Sequence, residues 1–206
     1  MLREDERVPL RNKVLQGLYP PGSTVKPMHC MAFMEAGIDP SETISCSGGR
    51  GIGNRFFNCW SNHGRVDMAK AIYQSCDSYF YHYAQAIGFD TVAAMASQFG
   101  LGKQFPLPVT SQFYGTVPRP DWKLNKFGRE WQDYDTVNAS IGQGYSLTSP
   151  LQLAVMATRL ATGRHVMPRL VMNTPTRGID QVDVPDDQVA FVRQAMSDVV
   201  NGPGTA

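Results

Sequence analysis

Tyr19-Pro20-Pro21-Gly22-Ser23-Thr24-Val25-Lys26-Pro27 is the stretch that decides the fold. Pro20, Pro21 and Gly22 are turn formers, and Ser23 suits a helix start. Pro27 is tolerated there because the first helical turn has no intrahelical partner for its missing N–H. The apolar run Met28 to Met34 follows and ends at Gly37, so a helix is expected over residues 23–36. Lys26 then lies one turn after Ser23, on the same face. A hydroxyl and an amine side by side at a helix start are one way to build an activated serine nucleophile. Serine followed three residues later by lysine is also a common accident, so the pair needs support from elsewhere.

The chain has 206 residues, 42% hydrophobic and 18% charged, which suits a single domain over 1–206 with a substantial core. A net charge of +1 calls for neither nucleic acid nor an anionic surface as partner. No apolar run reaches the length of a membrane helix. Met1-Leu2-Arg3-Glu4-Asp5-Glu6-Arg7 is too charged for a signal peptide. Both ends read as cut, and the expectation is a piece of a longer protein.

Outward from Ser23, residues 7–18 alternate weakly and predict an edge strand and turn. Residues 38–66 show little periodicity and predict a long irregular segment. Asp67 caps a helix from Met68 to Gln74, which Ser75-Cys76-Asp77 interrupts. Helical pattern resumes from Tyr79 to Ile87 and stops at Gly88, and another helix runs from Asp90 to Gly100. Residues 101–135, rich in Pro, Gly and aromatics, predict loop. Ser149-Pro150 opens a helix through Ala161, with Gly163 after its end. Arg169–Asn173 suggests a strand, and Asp186 or Asp187 starts a last helix to Val200. Gly49-Arg50-Gly51-Ile52-Gly53 misses the spacing of a phosphate loop.

A lysine-activated serine needs a proton relay, an oxyanion hole and a substrate anchor. Ser75 and Asp77 are the relay candidates, in a break between helices; their alternative role is to cap the helix near Ser78. A proline-flanked Ser-x-x-Lys followed by Ser-x-Asp resembles the penicillin-binding transpeptidases. Leu18 to Pro27 is similar to the active-site block of the penicillin-binding protein 2 family, the class B enzymes of cell elongation. His63-Gly64-Arg65-Val66-Asp67, Ser75 to Tyr81, Trp122-Lys123 and Ala139-Ser140-Ile141-Gly142-Gln143-Gly144-Tyr145 resemble further blocks, in the family's order.

The resemblance implies an α/β (α+β) fold with helices packed on an antiparallel sheet. It implies a DD-transpeptidase that cross-links peptidoglycan stem peptides, with Ser23 as nucleophile, Lys26 as general base and Ser75 as relay to the departing D-Ala nitrogen. Lys26 must be neutral at the moment of attack; desolvation and nearby cations favour that state, whereas an ionised Asp77 opposes it. Asp77 stands where many relatives have Asn. β-Lactams would acylate Ser23. The family's Lys-Thr-Gly strand, which anchors the substrate carboxylate and supplies one oxyanion N–H, does not occur in the 206 residues. The expectation is therefore an incomplete sheet, poor solubility in isolation and no competent catalysis by this chain alone. An N-terminal membrane anchor and pedestal would lie outside it, on the periplasmic face of the inner membrane, with a membrane glycosyltransferase as partner. Within the fold, a DD-carboxypeptidase or serine β-lactamase is an alternative; outside it, a zinc-stabilised scaffold without chemistry.

Of the four cysteines, Cys30 falls inside the first helix as a small buried hydrophobe. Cys46, Cys59, His63 and Cys76 form a spacing that suits a closed structural zinc site, which would hold the irregular segment. A Cys46–Cys59 disulfide, or neither, stays open, as does His63 as a plain turn residue. Some members of the family resemble this arrangement, with carboxylates in place of some thiolates. Gly142 and Gly144 mark close backbone approach or an ordinary turn. Trp122, Trp131, Tyr114 and Tyr134 either line a peptide groove or anchor their loop.

Overall fold

A computed structural model describes residue 6 and residues 8–109, 111–172 and 179–206. The central element is a helix that is buried on every side. After the short helix α1 (Lys13–Gln16), a 3-10 turn over Gly22–Val25 leads into α2 (Lys26–Glu35). Every residue from Lys26 to Met34 is buried, the mark of a helix enclosed by its neighbours. The expected single helix over 23–36 is thus two pieces. Pro27 has no N–H for the Ser23 carbonyl, and the backbone N–H of Lys26 bonds it instead, which tightens the first turn. Gly37, at φ +88°, ends α2 with its N–H on the Met34 carbonyl, as its sequence position suggests.

Four short strands occupy the segment expected to be irregular. β1 (Ile44–Cys46) pairs antiparallel with β4 (Gly64–Val66), in the register Ile44 to Val66 and Cys46 to Gly64. β2 (Gly49–Ile52) and β3 (Arg55–Asn58) form a hairpin around Gly53-Asn54. That dipeptide is a hairpin signal, hidden by the mixed burial of such short strands.

α3 (Met68–Tyr73) starts at Asp67, whose Oδ1 accepts the Lys70 N–H at 2.8 Å. α4 (Asp77–Ile87) and α5 (Phe89–Gln98) follow, separated by Gly88 at φ +77°. Two helices lie where sequence predicts loop: α6 (Pro120–Phe127) and α7 (Asp133–Ser140). Their signals were Pro120 at the first position, Gly128 in a left-handed cap, and a capping box of Gln132 with Asp135. α8 (Pro150–Thr162) carries the expected Ser149 cap and left-handed Gly163, and α9 (Asp186–Asn201) closes the chain. The strand expected over 7–18 is replaced by α1, because Asn12 caps it by accepting the Leu15 N–H. Residues 169–172 form no strand, and Asn173 lies outside the described residues.

α2 packs against α4, α5 and α9, and α3 against α4 and α9. The Phe33 ring meets Tyr79, Phe80 and Tyr83 of α4 at centroid distances of 6.4, 5.7 and 5.9 Å. These contacts pack α4 on α2, and Lys26 at the start of α2 meets the Phe80 ring near the start of α4; truncating Phe33 to alanine would cost about 3–5 kcal/mol. The outcome is a mixture of helices with small antiparallel sheets, and no helix among the described residues is long and apolar enough to cross a membrane.

Candidate active site

Lys26 begins α2 with its side chain 2% exposed, yet its amine is fully partnered. Nζ lies 2.9 Å from the Ser75 carbonyl, 3.0 Å from Ser75 Oγ and 2.5 Å from Asp77 Oδ1. Three acceptors match the three protons of an ammonium, which is how a buried cation avoids a large desolvation cost. The Phe80 ring lies 5.2 Å away. The charged group in contact with the amine is thus the anion Asp77, not the cation that would favour neutral Lys26. Burial pushes the Asp77 carboxyl above its ordinary value, and Lys26 beside it pulls the other way.

Ser75 and Asp77 reach Lys26 through an unusual turn. α3 ends at Tyr73, Ser75 takes φ +51°, and Cys76 is extended at the start of α4. The extended residue sends alternate side chains to opposite sides. Ser75 and Asp77 face Lys26, and Cys76 joins the other cysteines. Asp77 makes no cap: α4 starts without a side-chain cap bond.

Ser23 lies on the exposed side of the 3-10 turn. Among the described residues its hydroxyl has no hydrogen-bond partner, so Lys26, Ser75 and Asp77 come together and the Ser23 hydroxyl stands apart. Its turn is braced from behind. The Gly22 N–H bonds the Gly142 carbonyl at 3.0 Å, and a Cβ on Gly142 would lie 2.4 Å from the Gly22 carbonyl oxygen. Close approach, not an ordinary turn, is what Gly142 supplies. One turn into α2, His29 donates from Nδ1 to the Ser140 carbonyl at 2.9 Å. Burial, against that bond, lowers His29 to about 4.

Cys46, Cys59, His63 and Cys76 converge, their ligand atoms all within 4.8 Å of one another. His63 Nδ1 is 3.6 Å from Cys46 Sγ and 3.5 Å from Cys59 Sγ. Tetrahedral zinc with bonds of about 2.3 Å to sulfur and 2.0–2.1 Å to nitrogen puts those atoms about 3.6 Å apart. The donor set and spacing therefore fit a closed metal site. The hydrogen bond from Cys76 holds the Cys59 thiol below its usual range, and the same bond pushes Cys76 up. All four cysteines are free thiols, so Cys46 and Cys59 form no disulfide. Cys30 is wholly buried, as expected, and burial pushes its thiol up.

Trp60 and His29 escaped the sequence reading, since neither belongs to a motif with a mechanism of its own; Phe80 lay within the block Ser75 to Tyr81 without an assigned role. Trp131 anchors its loop, stacked on Phe89 at 5.9 Å with its N–H on Thr136 Oγ1 at 2.7 Å. Trp122 clusters with Phe127 and Tyr145, and Tyr134 lies under Arg55 and Lys123. Lys123 is buried in an ion pair with Asp135 at 2.6 Å.

Residues 2–206 match the family described as the penicillin binding protein transpeptidase domain. The chain is 37% identical over 216 residues to the peptidoglycan D,D-transpeptidase MrdA of Acinetobacter baumannii, covering 97% of this chain and 32% of that protein. The PBP2 of Pseudomonas aeruginosa in complex with WCK 5153 superposes with a TM-score of 0.90 at 34% identity, covering 100% of this chain and 50% of the other. The Helicobacter pylori PBP2 solved with MreC gives 0.92 at 30% identity, over 98% of this chain and 38% of the other. The chain spans about a third of the curated relatives' length.

Proposed function

The chain belongs to the penicillin-binding protein transpeptidase family, with PBP2 (MrdA) relatives, and from this premise we propose that the full-length protein is a peptidoglycan D,D-transpeptidase working through an acyl-serine. The observation that carries the proposal is the buried Lys26 amine, bonded to Ser75 and Asp77 one helical turn after the exposed Ser23.

In the proposed reaction Ser23 Oγ attacks the D-Ala–D-Ala carbonyl and its proton passes to Lys26. Lys26 can accept it only after giving up one of three protons; neutral Lys26 still donates to Asp77 and the Ser75 carbonyl and keeps a lone pair for a hydroxyl. In this reading Asp77, whose carboxyl burial raises, holds that proton. The tetrahedral intermediate collapses, the C–N bond breaks, and Ser75 passes a proton to the departing D-Ala nitrogen while taking one back from Lys26. The amine of a second stem peptide then attacks the ester; the C–O bond to Ser23 breaks, an amide forms, and the proton the amine loses returns to Ser23 Oγ through Ser75 and Lys26. A β-lactam follows the first half, with its ring amide as the bond that breaks.

We assign Cys46, Cys59, His63 and Cys76 to one structural zinc. Bound there, the metal would fix the β1–β4 segment and, through Cys76, the turn that presents Ser75 and Asp77; it supplies no step of the reaction. Proposed partners are peptidoglycan stem peptides, β-lactams, a membrane glycosyltransferase and, by likeness to the Helicobacter pylori relative, a protein of the MreC type. The proposed location is the periplasmic face of the inner membrane.

The 206 residues hold no Lys-Thr-Gly, so the carboxylate anchor is not among them, and the isolated chain is proposed to be incompetent. Fluorescent penicillin tests both statements. The full-length protein should label stoichiometrically, its Ser23→Ala variant and the 206-residue chain hardly at all. Labelling that survives Ser23→Ala would refute the nucleophile assignment.

A further inference from the structure

Trp60 sits between two of the metal-ligand candidates, Cys59 and His63, and its side chain is a poor hydrophobic anchor, being 60% exposed. What it does have is a pair of hydrogen bonds. The indole Nε1–H points at the Gln74 carbonyl at 3.0 Å and the Ser75 carbonyl at 3.1 Å. The indole meets the His63 ring edge-on at a centroid distance of 5.0 Å. This orients the N–H toward the end of α3.

The Ser75 carbonyl is also the oxygen that accepts from Lys26 Nζ at 2.9 Å. It therefore receives two donors, one from the buried amine and one from the loop of Cys59 and His63. Ser75 is at φ +51°, a conformation that costs a non-glycine residue about 1–2 kcal/mol and persists only when its surroundings hold it. Relief of that strain needs rotation about the Ser75 N–Cα bond, which swings the Ser75 carbonyl with it. It would also turn the carbonyl away from Lys26 and release the amine from one of its three acceptors. The indole N–H, a second donor on the same oxygen, opposes that rotation.

We propose that Trp60 is a positioning residue for the Ser75–Lys26 pair, acting through the indole hydrogen bond to the Ser75 carbonyl. Trp60 touches no reacting atom in this role. It transmits the geometry of the Cys59–His63 loop to the relay turn by a route separate from the covalent one through Cys76. The proposal rests on the functional reading of Ser75 and Lys26 given above. Its rival is direct contact with substrate, since Trp60 and Ser75 both line an open cleft of about 610 Å³.

The test uses the full-length, metal-loaded protein and a fluorescent penicillin, with pre-acylation dissociation constant and first-order acylation rate measured separately. Trp60→Phe keeps an aromatic ring and drops the donor. Replacement of Trp60 by 3-benzothienylalanine keeps the bicyclic shape and puts sulfur in place of the N–H. Losing one hydrogen bond at a positioned group corresponds to about a tenfold slower acylation. Both variants should show that drop, with dissociation constant within about twofold, and metal content and melting temperature unchanged. Acylation at the wild-type rate overturns the proposal. So does a loss confined to the dissociation constant, which would make Trp60 a substrate contact, or a loss that follows metal content. A wild-type protein that is not acylated at Ser23 overturns the functional reading, and this proposal with it.

Discussion

The Lys26 amine is 3.0 Å from the Ser75 hydroxyl although the two residues are 49 positions apart. Lys26 begins one buried helix, Ser75 lies two residues before another, and aromatic contacts such as Phe33–Phe80 pack the two helices together. Replacing Lys26 or its other partner, Asp77, tests different parts of the chemistry.

Lys26→Met should abolish penicillin labelling while leaving Asp77 without its partner. Asp77 is pushed toward its neutral form by burial, so the variant should still fold, less stably. Asp77→Asn keeps an acceptor of the same shape and should retain labelling within about tenfold. Labelling rates and thermal melts of the two variants provide the check, and robust labelling of Lys26→Met would remove Lys26 from the role of base.

Gly142→Ala should damage the nucleophile turn. Its Cβ would meet the Gly22 carbonyl at 2.4 Å, and φ is +69°. Strain and clash together predict a loss of about 2 kcal/mol or more, with labelling falling further than the folded fraction. Gly128→Ala has a similar φ of +63° and open space around its Cβ, so it should cost only about 1–2 kcal/mol and leave labelling intact. Equal effects of both on labelling would deny Gly142 its bracing role.

His29 makes stability depend on pH. Its folded value is about 4 against an ordinary 6.5, so the unfolded chain binds the proton better. The contribution is complete above pH 6.5 and is lost as pH falls toward 4. Between pH 7.5 and pH 5 it amounts to about 2 kcal/mol. Denaturant unfolding at both pH values should show a difference that His29→Gln reduces by about that amount; an unchanged difference would show that His29 is not held neutral.

Metal analysis under reducing conditions should find one zinc per chain, and denaturation should release all four thiols. Chelation should lower the melting temperature by several degrees, and Cys46→Ser should mimic it. A full thiol count without zinc, and no effect of chelator, would leave the cluster as packed cysteines.

Local order in this protein was readable from residue type. The Asp67 and Ser149 caps, the stops at Gly37, Gly88 and Gly163, and the apolar run of α2 all operate within one or two turns of chain. Their physics is complete in a short window of sequence. The hairpin at Gly53-Asn54 and the helices α6 and α7 carried the same kinds of signal, but short elements with few buried positions give little periodicity to detect. The split of the first helix at Pro27 was decided by one missing N–H.

The Ser23–Lys26 spacing, the Ser75–Asp77 pair and the set Cys46, Cys59, His63 and Cys76 were likewise determined by sequence. What only the tertiary structure decided is how they meet. Packing of α4 on α2 brings Ser75 and Asp77 to the Lys26 amine, and the partner it supplies is an anion. The extended backbone at Cys76 separates one face of the turn, which serves Lys26, from the other, which completes the cysteine cluster. The Trp60 indole reaches the Ser75 carbonyl across a gap of 15 residues. Such contacts depend on where whole elements pack, and no local window of sequence contains both partners.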